Sequence, residues 1–289
     1  VRAALPRDIC HPLGLDLEQA AAAIIDIGND RMAGAIRMVT LARGHDPRDF
    51  TLFAFGGAGP MHAAALAREL SIPRVLIPAR PGITNAIGCI TADMRHDYVN
   101  TLNAPLSVLD IVEARAILES QIEEGRATIE REGVAVSAIE CLYFADMQFE
   151  GQTHLLTVAI PGTRITVAEL QVAFEAAYLD RFHVELPEIR AVLVSLHTAV
   201  IGRRPGAPLE ALAGGGDRGS LADAQRGQRL VWFAGKTHET PIYQRHRLPA
   251  DATFDGPAII EQMDCTIVVE PGNRVSLDEL GNLVIEVTA

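Results

Sequence analysis

The chain has 289 residues, 48% hydrophobic and 21% charged, a composition that excludes disorder and collagen-like repeats and leaves length for about two domains. Its net charge of -12 and pI near 5.2 argue against a nucleic-acid surface and against an anionic membrane as partner, because both need a clustered basic face. Lys236 is the single lysine, Cys10, Cys89, Cys141 and Cys265 show no metal-type spacing, and no apolar run approaches the roughly 18 residues of a bilayer span, so a reducing cytoplasm is the expected compartment.

The first residue is Val1, which reads as an excised piece or as a literally translated alternative start codon. Residues 16–43 predict one long helix: Asp16 and Gln19 form a capping pair, Ile24, Ile27, Ala35, Met38 and Val39 recur near helical period, and Gly44 ends it. At this spacing the apolar residues, Met32 and Met38 included, are expected to pack into a core. Next come an apolar segment at Thr51–Phe55, the loop Gly56-Gly-Ala-Gly-Pro60, a helix over Met61–Leu70 and a strand at Val75–Ile77. Such an order predicts a βαβ unit, with Pro60 in the first helical turn. Pro81-Gly82 then turns the chain, Thr84 or Asn85 caps, and Ala86–Thr91 forms a short helix, so that two helix N-termini face one crevice.

Beyond residue 107 the pattern predicts a helix over Ile111–Arg131, strands near Glu140–Phe149 and His154–Ile160, a helix over Val167–Arg181 and a strand over Arg190–Val200. Residues 206–228 read as a linker, and Gly214-Gly-Gly216 within it lacks the ending of a nucleotide P-loop. From Arg229 short apolar runs alternate with the turn pairs Asp255-Gly256, Pro271-Gly272 and Gly281-Asn282, as in a small β domain. The expected fold is therefore α/β followed by a β-rich end, divided as 1–105, 106–205, the linker 206–228, and 229–289.

Between a strand and a helix start, Gly56, Gly57 and Gly59 keep side chains away from the backbone, and free N–H groups with the helix dipole favour an anion such as phosphate. The spacing is neither GxGxxG nor a Walker sequence, since His62 stands where a third glycine would fall. By itself the turn is equally well explained as a tight strand-to-helix connection.

The strings Asp46-Pro-Arg-Asp-Phe50, Phe55-Gly-Gly-Ala-Gly-Pro-Met-His62, Pro81-Gly82 with Ala86 and Gly88, and Ala92-Asp93-Met-Arg95 resemble the hydantoinase A/5-oxoprolinase family, which takes in acetone carboxylase β subunits. The resemblance continues through Gly151-Gln152, Thr240-Pro-Ile-Tyr243, Asp255-Gly-Pro-Ala-Ile-Ile-Glu261, Asp264 and Pro271-Gly272, and so covers nearly the whole chain. It implies an actin/Hsp70-like (ribonuclease H-like) ATPase fold in which Gly56, Gly57, Ala58, Gly59, His62, Thr84 and Asn85 lie against ATP. The implied activity is ATP-dependent opening of a cyclic amide of hydantoin or 5-oxoproline type, with Mg2+. Alternatives are a ketone carboxylase subunit, a non-catalytic assembly subunit, or an independent small-molecule binding protein with a β-rich appendage. Implied partners are a hydantoinase B-like subunit, a lactam substrate, and the family's amino-terminal ATPase half, whose Asp-x-Gly-Gly-Thr-type loop has no counterpart in these residues. Without that loop the chain alone is not expected to hydrolyse ATP efficiently. A second departure is Gln148-Phe149-Glu150 where the family often has Arg-Tyr before Gly-Gln.

Catalytic residues are not fixed by the sequence. His62, Asp93 and Arg95 are the candidates: His62 as a phosphate donor or a packing residue, Asp93 and Arg95 as acid–base groups or local ion pairs beside His96 and Asp97. The nine histidines have no zinc spacing, His183 and His197 read as structural, and the cysteines lack a basic neighbour, which leaves buried structural thiols as the expectation.

Overall fold

The computed structural model describes residues 5–185, 190–206 and 219–288. The protein is mixed α/β, and its chain divides into two units, one comprising Val1–Ile90 with Pro208–Ala289 and the other Thr91–Ala207.

In the first unit a π-helical turn (Pro6–Cys10) and the short α1 (His11–Leu13) precede α2 (Leu17–Leu41). The Asp16 carboxylate accepts from the Gln19 N–H at 2.7 Å, and the Gln19 side chain accepts from the Asp16 N–H at 3.1 Å, so the helix starts where its sequence says. Its buried face differs from the predicted one. Ala20, Asn29 and Ala33 are buried, whereas Ile24, Ile27, Met38 (70% exposed), Val39 and Leu41 face outward. The reason is that α2 packs against α3 (Gly59–Glu69) through its smaller residues, with Asn29 meeting His62 and Arg37 meeting Glu69.

Strands β1 (Thr51–Phe53) and β2 (Arg74–Ile77) flank α3 in sequence and pair in parallel, Thr51 beside Arg74 and Phe53 beside Leu76. This is the predicted βαβ unit, and Pro60 occupies the first turn of its helix. A 3-10 turn at Pro81–Ile83 leads into α4 (Thr84–Thr91), which therefore begins two residues before the Ala86 marked by sequence.

The second unit is β3 (Met94–Pro105), α5 (Ile111–Glu132), β4 (Ala138–Phe149), β5 (Leu156–Ile160), α6 (Val167–Phe182) and β6 (Ala191–Arg203). The strands form an antiparallel sheet in the order β3-β6-β4-β5. Asp110 caps α5, Gly133 ends it in the left-handed region, and Thr166 with Glu169 caps α6. Leu118, Phe149, Phe174, Leu193 and Leu196 are buried between the helices and the sheet. Because β3 pairs with β6 from Met94 beside Gly202 to Pro105 beside Val192, residues 94–105 belong to this unit, and the predicted boundary at 105 moves back to 90.

The chain then contributes α7 (Leu221–Ala224), β7 (Gln225–Phe233), β8 (Lys236–Gln244), β9 (Thr253–Asp255), β10 (Ala258–Gln262), β11 (Cys265–Val269), β12 (Arg274–Leu277) and β13 (Leu283–Glu286) to the first unit. One sheet has the order β11-β10-β8-β7; the other is β1-β2-β13-β12-β9. The expected free-standing β domain over 229–289 is thus corrected. β13 runs antiparallel to β2, Leu283 beside Ile77 and Glu286 beside Arg74, and one core joins Leu66, Val75 and Ile77 to Ile260, Ile267 and Ile285. The expected linker shrinks as well: Ser220 caps α7, and 225–228 already belong to β7, while Gly214–Gly216 lie outside the described residues.

Candidate functional site

The glycine loop leaves β1 at Phe53 and reaches α3 at Gly59. Gly56 has φ +81°, a left-handed conformation that a side chain would strain, so this glycine is required by the turn itself. Its N–H donates to the Pro81 carbonyl at 2.8 Å, which ties the glycine loop to the Pro81–Ile83 turn. The residue before α3 is Ala58, and no side chain caps the helix. Pro60 has no N–H and that of Met61 donates to the Ala58 carbonyl at 3.0 Å, so at the start of α3 it is the Gly59 N–H that is left to solvent or to a ligand.

His62 lies in the first turn of α3 with Nδ1 2.9 Å from the Asn29 Oδ1. An amide oxygen only accepts, so Nδ1 carries the proton and Nε2 of the neutral ring is an acceptor. Donation to a phosphate through Nε2, as the sequence reading has it, then requires the imidazolium. Thr84 is also engaged: its hydroxyl donates to the Arg80 carbonyl at 2.9 Å. Asn85 is exposed and does not cap, because α4 already includes Thr84.

A third segment, which sequence reasoning did not assign to the site, completes the arrangement. The two-residue turn between β10 and β11 is Met263-Asp264, and one Asp264 carboxylate oxygen accepts from the Gly82 N–H at 2.9 Å. A Cβ on Gly57 would lie 3.4 Å from the Asp264 carbonyl oxygen. The other carboxylate oxygen, Oδ1, is buried without a hydrogen-bond partner. Behind the turn, Gln262 donates to the Ala79 carbonyl at 3.1 Å, and the Asn282 side chain accepts from the Ala79 N–H at 3.1 Å. The buried Arg245 donates to the carbonyls of Ile77 and Gly281, each at 3.0 Å, and to the Gln262 Oε1 at 3.0 Å. Burial pulls its guanidinium down to about 10, still protonated at neutral pH, with Cys265 and Asp264 opposing the shift. Burial pushes the Cys265 thiol up to about 11, away from thiolate chemistry. Cys89, by contrast, is exposed, which corrects its expected burial.

Residues 1–98 match the hydantoinase/oxoprolinase family model, and residues 113–285 match the hydantoinase/oxoprolinase C-terminal domain. The chain belongs to the hydantoinase/oxoprolinase family. It is 33% identical over 283 residues to the caprolactamase subunit alpha of Pseudomonas jessenii, covering 95% of this chain and 40% of that protein. The crystal structure of the ATP-dependent caprolactamase from the same organism superposes with a TM-score of 0.76 at 31% identity, covering 99% of this chain and 42% of the other. The nucleotide-free acetone carboxylase structure gives 0.72 at 26% identity, with the same coverage of 99% and 42%. The chain spans about two fifths of the length of the relatives it matches.

Within this hydantoinase/oxoprolinase chain the remaining expected residues fall in the second unit. Asp93 accepts from the Arg204 N–H at 2.8 Å and from the Arg203 guanidinium at 2.6 Å, and these bonds, the backbone one first, hold its carboxyl below the usual range. Arg95 pairs with Asp97 at 2.9 Å, and Asp97 also meets the His197 Nε2 at 3.0 Å. Both candidates are therefore occupied by ion pairs, the second of the two roles open to them in the sequence. Asp46, at the start of the family pattern, accepts from the Arg48 guanidinium and N–H, which brings its carboxyl down to about 2. Gln152 accepts from the Tyr178 hydroxyl at 3.1 Å, and Tyr178 with Phe149, Val172 and Leu179 lines a cavity of about 340 Å3 that contains none of the expected site residues. Among the described residues no three His, Cys, Asp or Glu side chains gather to hold a metal ion, and no helix is long and apolar enough to cross a membrane.

Proposed function

We propose that this chain forms one wall of the nucleotide site of an ATP-dependent amidohydrolase that opens cyclic amides. The observation that carries this reading is the uncapped start of α3 directly after the Gly56 turn, in a family that includes an ATP-dependent caprolactamase. The backbone N–H groups at Gly57, Ala58 and Gly59 are suited to bear on phosphate oxygens, and His62 in its protonated form would add a charged donor. When bound, ATP would supply a phosphoryl group for the amide oxygen, which makes the carbonyl carbon a better electrophile for water; the ring nitrogen is then displaced, and hydrolysis of the resulting acyl phosphate releases phosphate. The residues of this chain bind and orient it. They do not fit a Mg2+ site by themselves, because among the described residues no three His, Cys, Asp or Glu side chains gather and Asp264 brings a single carboxylate to the turns, so no step is assigned to a metal held here.

Partners follow from the same reading. The outward face of α2, with Ile24, Ile27, Met38 and Leu41 exposed, suits the remaining three fifths of a family-length polypeptide, and a hydantoinase B-like subunit is a further partner. The likeness to acetone carboxylase supports a second reading, a ketone carboxylase subunit using the same nucleotide wall.

Isothermal titration of ATP into the chain, alone and with a polypeptide carrying the rest of the family sequence, tests the proposal. Binding is expected in the reconstituted pair and to fall about tenfold or more for Gly57→Val, whose side chain would press on the Asp264 carbonyl oxygen, 3.4 Å from its Cβ, and displace the loop. A reconstituted pair that binds no ATP overturns the nucleotide reading. Comparing ATP turnover with caprolactam and with acetone plus bicarbonate separates the amidohydrolase from the carboxylase.

A further inference from the structure

We propose that Asp264 is a positioning residue: it clamps the glycine loop to the Pro81–Gly82 turn and so sets the spacing of the N–H groups that meet the ligand. This rests on the nucleotide reading for its function, though not for its geometry.

Four observations converge on the clamp. The Asp264 carboxylate accepts from the Gly82 N–H at 2.9 Å, and its own carbonyl oxygen sits where a Cβ on Gly57 would be 3.4 Å away, so one residue bonds one turn and lies close beside the other. The turns are joined to each other by the Gly56 N–H to Pro81 carbonyl bond of 2.8 Å. Gly82 has room for no side chain, since its Cβ would lie 2.6 Å from the Asp264 Cβ and 2.7 Å from its Cγ. Finally, the β10–β11 hairpin that carries Asp264 is braced against the chain leaving β2: Arg245 holds the Ile77 carbonyl, Gln262 the Ala79 carbonyl, and Asp264 the Gly82 N–H. Two direct attachments, from Gln262 and Asp264, and one relayed by Arg245, which donates to the Gln262 Oε1, fix the hairpin tip before any ligand arrives.

Packing alone does not account for an acid here. The carboxylate keeps one oxygen, Oδ1, buried and unpaired, a cost that an apolar side chain in the same turn would not incur. What the acid alone supplies is an acceptor aimed at Gly82. Asparagine retains that acceptor without the charge, and alanine removes it. The two variants therefore separate the clamp from a role for the charge.

Hydrogen exchange on the full chain reads the clamp directly. Asp264→Ala, and independently Gly82→Ala, are expected to speed exchange at the amides of positions 56 and 82 about tenfold or more, with Asp264→Asn close to wild type and the amides that pair β2 with β13 in the same unit unchanged as the control for folding. Unaltered exchange in Asp264→Ala overturns the clamp, and failure of Asn to restore protection overturns the acceptor role. In the reconstituted pair, ATP affinity is expected to drop about tenfold in Asp264→Ala and to recover in Asp264→Asn. Loosened turns with unchanged ATP affinity would reduce Asp264 to a structural residue and overturn its positioning role. If the wild-type pair binds no ATP while exchange still responds to Asp264→Ala, the nucleotide reading fails and the clamp stands.

Discussion

Single side chains in this molecule hold loops by hydrogen bonds whose strength depends on charge state or burial. The Asp93 carboxyl is held below its ordinary value of about 3.9 by the Arg204 N–H and the Arg203 guanidinium. A carboxyl whose pKa is depressed on folding contributes stability above its unfolded pKa and loses it as pH falls through the folded value. Asp93→Asn is therefore expected to lower the Tm at pH 6, with the difference from wild type vanishing as pH falls through the depressed value of the folded carboxyl, read by circular dichroism across an acid titration. Arg245 works through burial instead. Arg245→Leu would strand the Ile77 and Gly281 carbonyls and the Gln262 side chain, at a cost of about 3 kcal/mol in denaturant unfolding. Arg245→Lys should recover only part of it, because an ammonium does not present the same fork of donors. The sequence displayed Gly56 and His62 through their place between a strand and a helix. It gave no comparable sign of Arg245 or Asp264, whose partners lie as far as 182 positions away.

At the scale of elements, local chemistry was the readable part. The reciprocal caps of α2, the Pro60 start of α3 and the turn pairs around β10 to β13 rest on neighbours in the chain, and they stand where the residues place them. The face that a helix buries depends instead on what packs beside it. Hydrophobic periodicity selected Ile24, Ile27, Met38 and Val39 of α2, but the side turned to α3 carries smaller residues, and Ala33 is buried in one core with Ala63, Leu66 and Ala67 of α3. The larger residues are left on the outer face. Charging that face with Ile27→Glu and Met38→Glu is expected to leave the Tm of the chain within about a degree, as surface substitutions do, while weakening assembly with the rest of a family-length polypeptide about tenfold or more. Analytical ultracentrifugation of the mixture checks this; unimpaired assembly would place the interface elsewhere.

For the whole molecule, periodicity in the sequence identified most strands but not the sheet to which each belongs. LVWF, AIIE, TIVV and LVIEV all lie on strands, yet the reading grouped them into a domain of their own, because strand pairing across the chain leaves no local trace. In fact β13 covers one edge of β2, and β1 covers the other. Removing residues 283–289 should expose β2 and unfold the first unit while the second keeps its cooperative transition, a loss of one of two unfolding steps visible by calorimetry. A single unchanged pair of transitions would contradict this sheet order.

The placement of β13 also bears on how the protein is made. Residues 91–207 form a continuous stretch whose antiparallel partners emerge from the ribosome in close succession, so this unit has what it needs to fold during synthesis. The other unit does not: β2 waits for β13, a strand translated after the whole of the second unit, with the clamp turn and its arginine brace arriving only shortly before it. Its closure has high contact order and comes after the second unit has been made. Until then, the glycine loop is a turn without its supports, and a nascent chain has no formed anion site to offer. The loop gains its supports from the same strands that close the sheet.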